Sequence, residues 1–227
     1  MAKRRRVERI GHRGAPTELP ENSLAGFGRA FERGADAVEL DIHATVDGEI
    51  VVHHDPTLSK RSNAHASQAI AALQLVQLRE VELAPGIGIP TLHDVLAAVP
   101  PGKRVYVELK GLHVVPFTAA LLAHAPCECA VHSFDHDEVA RMQLVAPNIP
   151  RGILFDTAPR DVVGDMHHTG ARDVWPKSTL INRSLVDQVH NAGGRVIAWT
   201  VNTRDAIDRL TLMGVDGICT DDVRLFA

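Results

Sequence analysis

The chain has 227 residues, 45% hydrophobic, with 24 basic and 28 acidic side chains and a formal charge of −4. That is enough chain for one sizeable core, the acidic balance offers no basic surface for nucleic acid, and no apolar run is long enough to span a bilayer, so stable membrane insertion is not expected. Cys127, Cys129 and Cys219 are odd in number and lack zinc or redox spacing, which fits buried, inert thiols in a reduced cytoplasmic protein.

The basic lead-in Lys3–Arg9 is followed by no signal-peptide core and reads as a solvated approach to the first strand. Strand one is predicted over Arg6–His12. A helix follows over Glu21–Gly34, with Leu24, Phe27, Ala30 and Phe31 on one face, Asn22 or Ser23 as its cap and Gly34 as its stop. Strand two is Ala37–Ile42, and Asp47-Gly48 reads as a tight turn. Residues 55–90 break the rhythm. They form too long a connection for a plain loop, and Ser67–Leu83 reads as a short helix inside it. This segment is expected to cover the mouth of the site.

From Ile89 the alternation is regular: helix to Pro100, strand three Arg104–Lys110, helix Val115–Ala125, strand four Glu128–Phe134, helix Asp135–Ala146, strand five Arg151–Phe155. A weaker helix over Arg160–Thr169 leads to strand six at Arg172–Pro176. A helix over Ser184–Gly194 leads to strand seven at Arg195–Val201, and a helix over Thr203–Gly214 leads to strand eight at Asp216–Thr220. Strand–helix alternation implies a parallel sheet. Eight units in this length predict an α/β fold of the (β/α)8 TIM-barrel type, one domain over 1–227 with a short insertion after strand two. A doubly wound open sheet is the alternative, but the chain has no glycine-rich dinucleotide fingerprint.

Polar residues gather at the carboxyl ends of these strands, where a barrel keeps its active site. His12 and Arg13 end strand one, Glu39 and Asp41 strand two, Glu108 and Lys110 strand three, Ser133 strand four, Trp199 strand seven and Asp221 strand eight. Residues two apart on a strand face the same way, so Glu39 pairs with Asp41 and Glu108 with Lys110. Three carboxylates at one mouth repel and raise one another's pKa. Either a divalent cation or a buried network with arginines resolves that conflict. Oxygen ligands favour Mg2+ or Ca2+, while His12 and His54 nearby keep zinc open. Ser133 has no adjacent base and is not expected to be a nucleophile. Asp55 is expected to orient His54 or cap a turn. Asp221 is read as a supporting residue, and Glu21 and Asn22 as helix caps or hydrogen-bond partners of the site.

Taken in order, "GHRGAPTELPENSLAGF", "GADAVELDIHATVDGEIVVHHDPTL", "IPTL", "VYVELKG", "AWTVN" and "GVDGICTDD" resemble the glycerophosphodiester phosphodiesterases from residue 10 to about 222. The resemblance implies a barrel enzyme that cleaves a small glycerophosphodiester to sn-glycerol 3-phosphate and an alcohol, with a divalent metal, Mg2+ or Ca2+, Mn2+ also being admissible. It implies His12 and His54 as general acid and base, Glu39, Asp41 and Glu108 as metal ligands, Arg13 and Lys110 as phosphate contacts, and Trp199 as a wall for glycerol. His53 is not the motif histidine. Ser23, Val46 and Glu49 depart from the usual pattern without touching a motif position. Two other functions compete: a phospholyase of the related barrel type acting on a lysophospholipid or phosphoinositide, and a non-catalytic phosphodiester-binding protein.

Overall fold

A computed structural model describes residues 6–59 and 65–226. Lys3–Arg5 of the basic lead-in and residues 60–64 of the predicted insertion lie outside the described residues. Eight parallel strands close into a barrel: β1 (Glu8–His12), β2 (Ala37–Ala44), β6 (Arg104–Leu109), β7 (Glu128–Ser133), β8 (Arg151–Phe155), β9 (Asp173–Pro176), β10 (Arg195–Ala198) and β11 (Gly217–Thr220). Each pairs with the next, and β1 pairs with both β2 and β11, so no barrel edge is left open. The predicted (β/α)8 barrel is the fold.

Helices return the chain between strands: α1 (Leu24–Glu32), α3 (Leu92–Ala98), α4 (Val115–Leu122), α5 (His136–Val145), α6 (Val162–Thr169), α7 (Arg183–Asn191) and α8 (Arg204–Met213). Most begin at a side chain that accepts a first-turn N–H, namely Ser23, Thr91, Asp135, Asp161, Asn182 and Thr203. Ser23 is thus the α1 cap, which frees Asn22 for another task. α4 has no side-chain cap; Pro116 in its first turn needs no N–H partner.

The strands are two-sided. Val38, Leu40, Ile42, Val105 and Val107 face outward into an apolar layer under the helices. Ile10, Tyr106, Leu154, Trp175, Ile197 and Cys219 fill the barrel interior. Cys219 is buried there, whereas Cys127 and Cys129 are only half-buried; all three are free thiols.

Residues between β2 and α3 depart from the predicted single helix. After the turn at Gly48, β3 (Ile50–Val52) runs back antiparallel to β2. A 3₁₀ turn at Ile70–Ala72, the four-residue helix α2 (Leu75–Leu78) and a hairpin of β4 (Glu82–Ala84) and β5 (Ile87–Gly88) follow. The apolar spacing is helical, but the barrel ties the chain down midway. Val46 N–H donates to the Leu73 carbonyl (3.0 Å), and Leu75 N–H donates to Asp47 (3.2 Å). Ile70, Leu73, Leu78 and Val81 then pack on Val51 and Ile89 as a small core of their own.

The amino-terminal end of the barrel is closed by charge. Glu8 accepts from Arg104 Nη1 (2.6 Å) and Tyr106 OH (2.8 Å) and pairs with Arg195, which also reaches Asp173. Removing one member of a sheltered network strands its partners. Glu8→Ala is expected to lower the unfolding free energy by roughly 2–4 kcal/mol, read as a shifted urea midpoint; an unmoved midpoint would mean that the floor network is idle.

Candidate active site

Register places the functional side chains. His12 is the neighbour of Glu39 across β1 and β2, Asp41 of Glu108 across β2 and β6, and Glu108 of His132 across β6 and β7. Parallel neighbours at one level point the same way, so these five groups ring the carboxyl end of the barrel. Glu39, Asp41 and Glu108 are buried there at 3%, 1% and 8% exposure.

The turn after β1 adds cations. Arg13 and Asn22 both hold positive φ, 52° and 55°, a conformation L-residues adopt at a cost and keep where the surroundings demand it. Asn22 N–H donates to the Arg13 carbonyl (3.0 Å), and Arg13 N–H donates to Glu39 Oε2 (3.2 Å). Gly14 (φ 93°) follows because a Cβ there would meet the Gly26 backbone at 2.7 Å. So held, Arg13 Nε lies 3.2 Å from Asp41 Oδ2, and its Nη1 reaches Glu21. Asn22 Nδ2 donates to Asp41 Oδ2 (2.8 Å). Glu21 and Asn22 therefore serve the site and not the helix start. Lys110 Nζ sits 3.5 Å from both Asp41 and Glu108.

Each expected catalytic histidine is tied to an aspartate. His12 Nδ1 lies 2.6 Å from Asp221 Oδ1, and His54 Nδ1 lies 2.7 Å from Asp55 Oδ1. A carboxylate only accepts, so both Nδ1 atoms carry the proton and both Nε2 atoms remain for other work. Asn202 clamps Asp221 in turn, donating from Nδ2 (2.6 Å) and accepting the Asp221 N–H (2.9 Å). His43 Nε2 donates to the His54 carbonyl (3.1 Å), and His53 turns away to the Asp55 carbonyl. Trp199 donates Nε1–H to the Trp175 carbonyl (2.8 Å) and meets Phe134 edge-on at 5.4 Å. Ser133 spends its hydroxyl on the Leu109 carbonyl.

His12, Arg13, Glu39, His54, Lys110 and Trp199 all line one cavity of about 290 Å³, together with Glu108, His132 and Phe134. Asp41 lies behind Arg13 and Lys110, and Asp221 behind His12. No described residue of 55–90 lines this cavity. His132 and Phe134 were not singled out from sequence. The signal for His132 was the two-residue period of β7, which gives it the same inward face as the interior residue Ala130; Phe134 follows just beyond the end of that strand.

Charge at the mouth is finely balanced. Burial favours the neutral form of Asp41, but Arg13, Lys110 and the Asn22 hydrogen bond outweigh it and hold the carboxyl below its usual range. Burial, then the charges of Asp41 and Glu39, push Glu108 up to about 8. Burial pulls His12 down, yet the Asp221 hydrogen bond and Glu39 leave it raised. Asp41 Oδ1 is buried with no hydrogen-bond partner. An acid kept protonated by burial and by two neighbouring carboxylates, beside a buried carboxylate oxygen that has no hydrogen bond and only the Lys110 ammonium at 3.5 Å, fits a divalent cation.

The family model of the glycerophosphoryl diester phosphodiesterase family matches residues 12–225. The chain belongs to that family. The family's curated members include the glycerophosphodiester phosphodiesterase of Caldanaerobacter subterraneus, 30% identical over 94% of this chain and 93% of its own length. Among solved structures, the glycerophosphodiester phosphodiesterase of Thermotoga maritima is 25% identical, with a TM-score of 0.85 over 97% of each chain. An Oleispira antarctica phosphodiesterase, solved in complex with its product sn-glycerol-3-phosphate, shares the fold at 22% identity, with a TM-score of 0.89 over 96% of this chain and 94% of its own. This member of the family is thus a phosphodiesterase-type enzyme on a (β/α)8 barrel. Among the described residues no helix is long and apolar enough to cross a membrane.

The raised Glu108 has a thermodynamic consequence in chelator-treated protein. The folded state binds a proton that the unfolded chain releases near the ordinary carboxyl pKa, so stability falls as pH rises from about 4.3 through 8. Glu108→Gln is expected to flatten that slope and to stabilise the metal-stripped protein at pH 9 by a few kcal/mol, roughly. Urea unfolding at pH 5 and pH 9 measures it, and parallel pH profiles for the two proteins would contradict it.

Proposed function

We propose that the chain hydrolyses small glycerophosphodiesters to sn-glycerol 3-phosphate and an alcohol, with Glu39, Asp41 and Glu108 holding a divalent cation and His12 and His54 dividing the proton work. The observation that carries this reading is the convergence of two aspartate-tied histidines, two cations, Glu39 and Glu108 on one small cavity, with Asp41 paired to the two cations behind it. The family membership and the curated relative's activity support the substrate class. Mg2+, Ca2+ or Mn2+ is the ion the three carboxylates would take.

A phosphodiester resists attack because its charge repels nucleophiles. When bound, the cation supplies positive charge at the phosphate and orients the diester. The protein's own residues do the rest. Arg13 and Lys110, held at the mouth by Asp41, face the phosphate oxygens as charge builds on them. His12 and His54 each keep Nδ1–H on an aspartate, which fixes the ring and leaves Nε2 to take or give one proton. One removes the proton of the attacking glycerol 2-hydroxyl while the other returns a proton to the departing alkoxide, leaving a cyclic phosphate; with the roles reversed, water then loses a proton, opens the ring and yields sn-glycerol 3-phosphate. Trp199 and Phe134 offer an apolar wall to the glycerol carbons.

Purified protein given glycerophosphocholine is expected to release glycerol 3-phosphate, to stop with chelator and to resume with one added ion; no release under any ion would overturn the assigned substrate. His12→Ala and His54→Ala are each expected to lower kcat by roughly 10²–10⁴ with little change in KM. A loss confined to KM would remove those histidines from the proton steps.

A further inference from the structure

We propose that His132 is a further ligand of the cation, so that this chain builds a mixed oxygen and nitrogen site that prefers Zn2+ or Co2+ to Mg2+ and Ca2+. The inference rests on the cation site proposed above and deepens it.

His132 lies on β7 at 1% exposure, and neither of its ring nitrogens has a hydrogen-bond partner. Buried imidazoles normally spend at least one nitrogen on a partner. This ring is instead held by packing. Trp175 meets it edge-on with centroids 4.3 Å apart, and Tyr106 stacks on it with centroids 6.3 Å apart and planes 19° from parallel. So wedged, it brings Nε2 to 3.5 Å from Glu39 Oε1, too far for a good hydrogen bond. Two donors each about 2.1 Å from one ion stand roughly 3.0–3.5 Å apart at octahedral to tetrahedral angles. The observed gap is the one that two ligands of a shared ion would keep.

Its neighbours agree. The Glu39 oxygen that faces His132 is Oε1, whereas Oε2 accepts the Arg13 N–H and lies toward His12. Glu108 is the register neighbour of His132, and ligand atoms of Glu39, Glu108 and His132 all lie within 4.8 Å of one another. An imidazole donor shifts preference away from Mg2+ and Ca2+, which favour oxygen, toward zinc and the later first-row ions.

The test is calorimetric titration of the metal-stripped full chain with ZnCl2, CoCl2 and MgCl2 separately, for the parent, His132→Phe and His132→Gln. A parallel 15N spectrum of the histidine side chains resolves His132 from His12 and His54. The parent is expected to bind Zn2+ more tightly than Mg2+. Both variants are expected to lose about tenfold or more in Zn2+ affinity with little loss for Mg2+, and Zn2+ is expected to move the His132 Nε2 resonance. Unchanged relative affinities in folded variants would overturn the inference and leave the cation site standing. A parent that binds none of the three ions would overturn both. Should the variants fail to fold, a His132 resonance unmoved by Zn2+ in the parent overturns the inference alone.

Discussion

Three buried carboxylates at one end of the barrel set the terms for everything around them. Glu39, Asp41 and Glu108 lie close enough that they cannot all ionise without compensation. In the metal-free protein the answer is divided. Arg13 and Lys110 neutralise Asp41, and Glu108 keeps a proton near neutral pH. That arrangement is poised and not settled, because the same two cations suit a phosphate, and the same carboxyl oxygens suit a divalent ion. Binding both at once would exchange one set of partners for another without leaving a charge bare.

The fold supplies the rigidity this balance requires. Parallel register across β1, β2, β6 and β7 puts His12, Glu39, Asp41, Glu108 and His132 at neighbouring levels, and a one-residue slip would turn each side chain out of the barrel. The loop after β1 adds two residues in the left-handed region, Arg13 and Asn22, each fastened by the hydrogen bonds that serve the site. The strain sits where charge must be aimed. At the other end, the Glu8, Arg104 and Arg195 network closes the barrel with pairs that are satisfied within the protein, a contrast with the unsatisfied oxygen and nitrogens of the mouth.

Much of this was legible in the sequence. Eight short β-branched runs alternating with helical patterns, most of these opened by a capping side chain, define the barrel, and the polar residues at the strands' carboxyl ends define the mouth. Glu39 with Asp41 and Glu108 with Lys110 could be paired by the two-residue period alone. What stayed hidden depended on register and on long-range ties. His132 looks like any strand histidine until Glu108 is seen beside it. Asn22 looks like a cap until Ser23 is seen to take that role. The insertion spaces its apolar residues as a helix, yet Val46 and Asp47 pin its backbone and divide it into short pieces. The pairing of Asp221 with His12 joins residues 209 positions apart, which only the closed barrel brings together.

The most direct measurement is a crystal structure of the protein with Mn2+ and glycerol 3-phosphate, using anomalous scattering to locate the ion. A single anomalous peak is expected among the carboxylates of Glu39, Asp41 and Glu108, with the phosphate against Arg13 and Lys110 and between His12 and His54. Carboxylates still paired to Arg13 and Lys110, with the ion and the phosphate bound elsewhere or nowhere, would mean that the buried acids are a structural network and that the chemistry lies at another site.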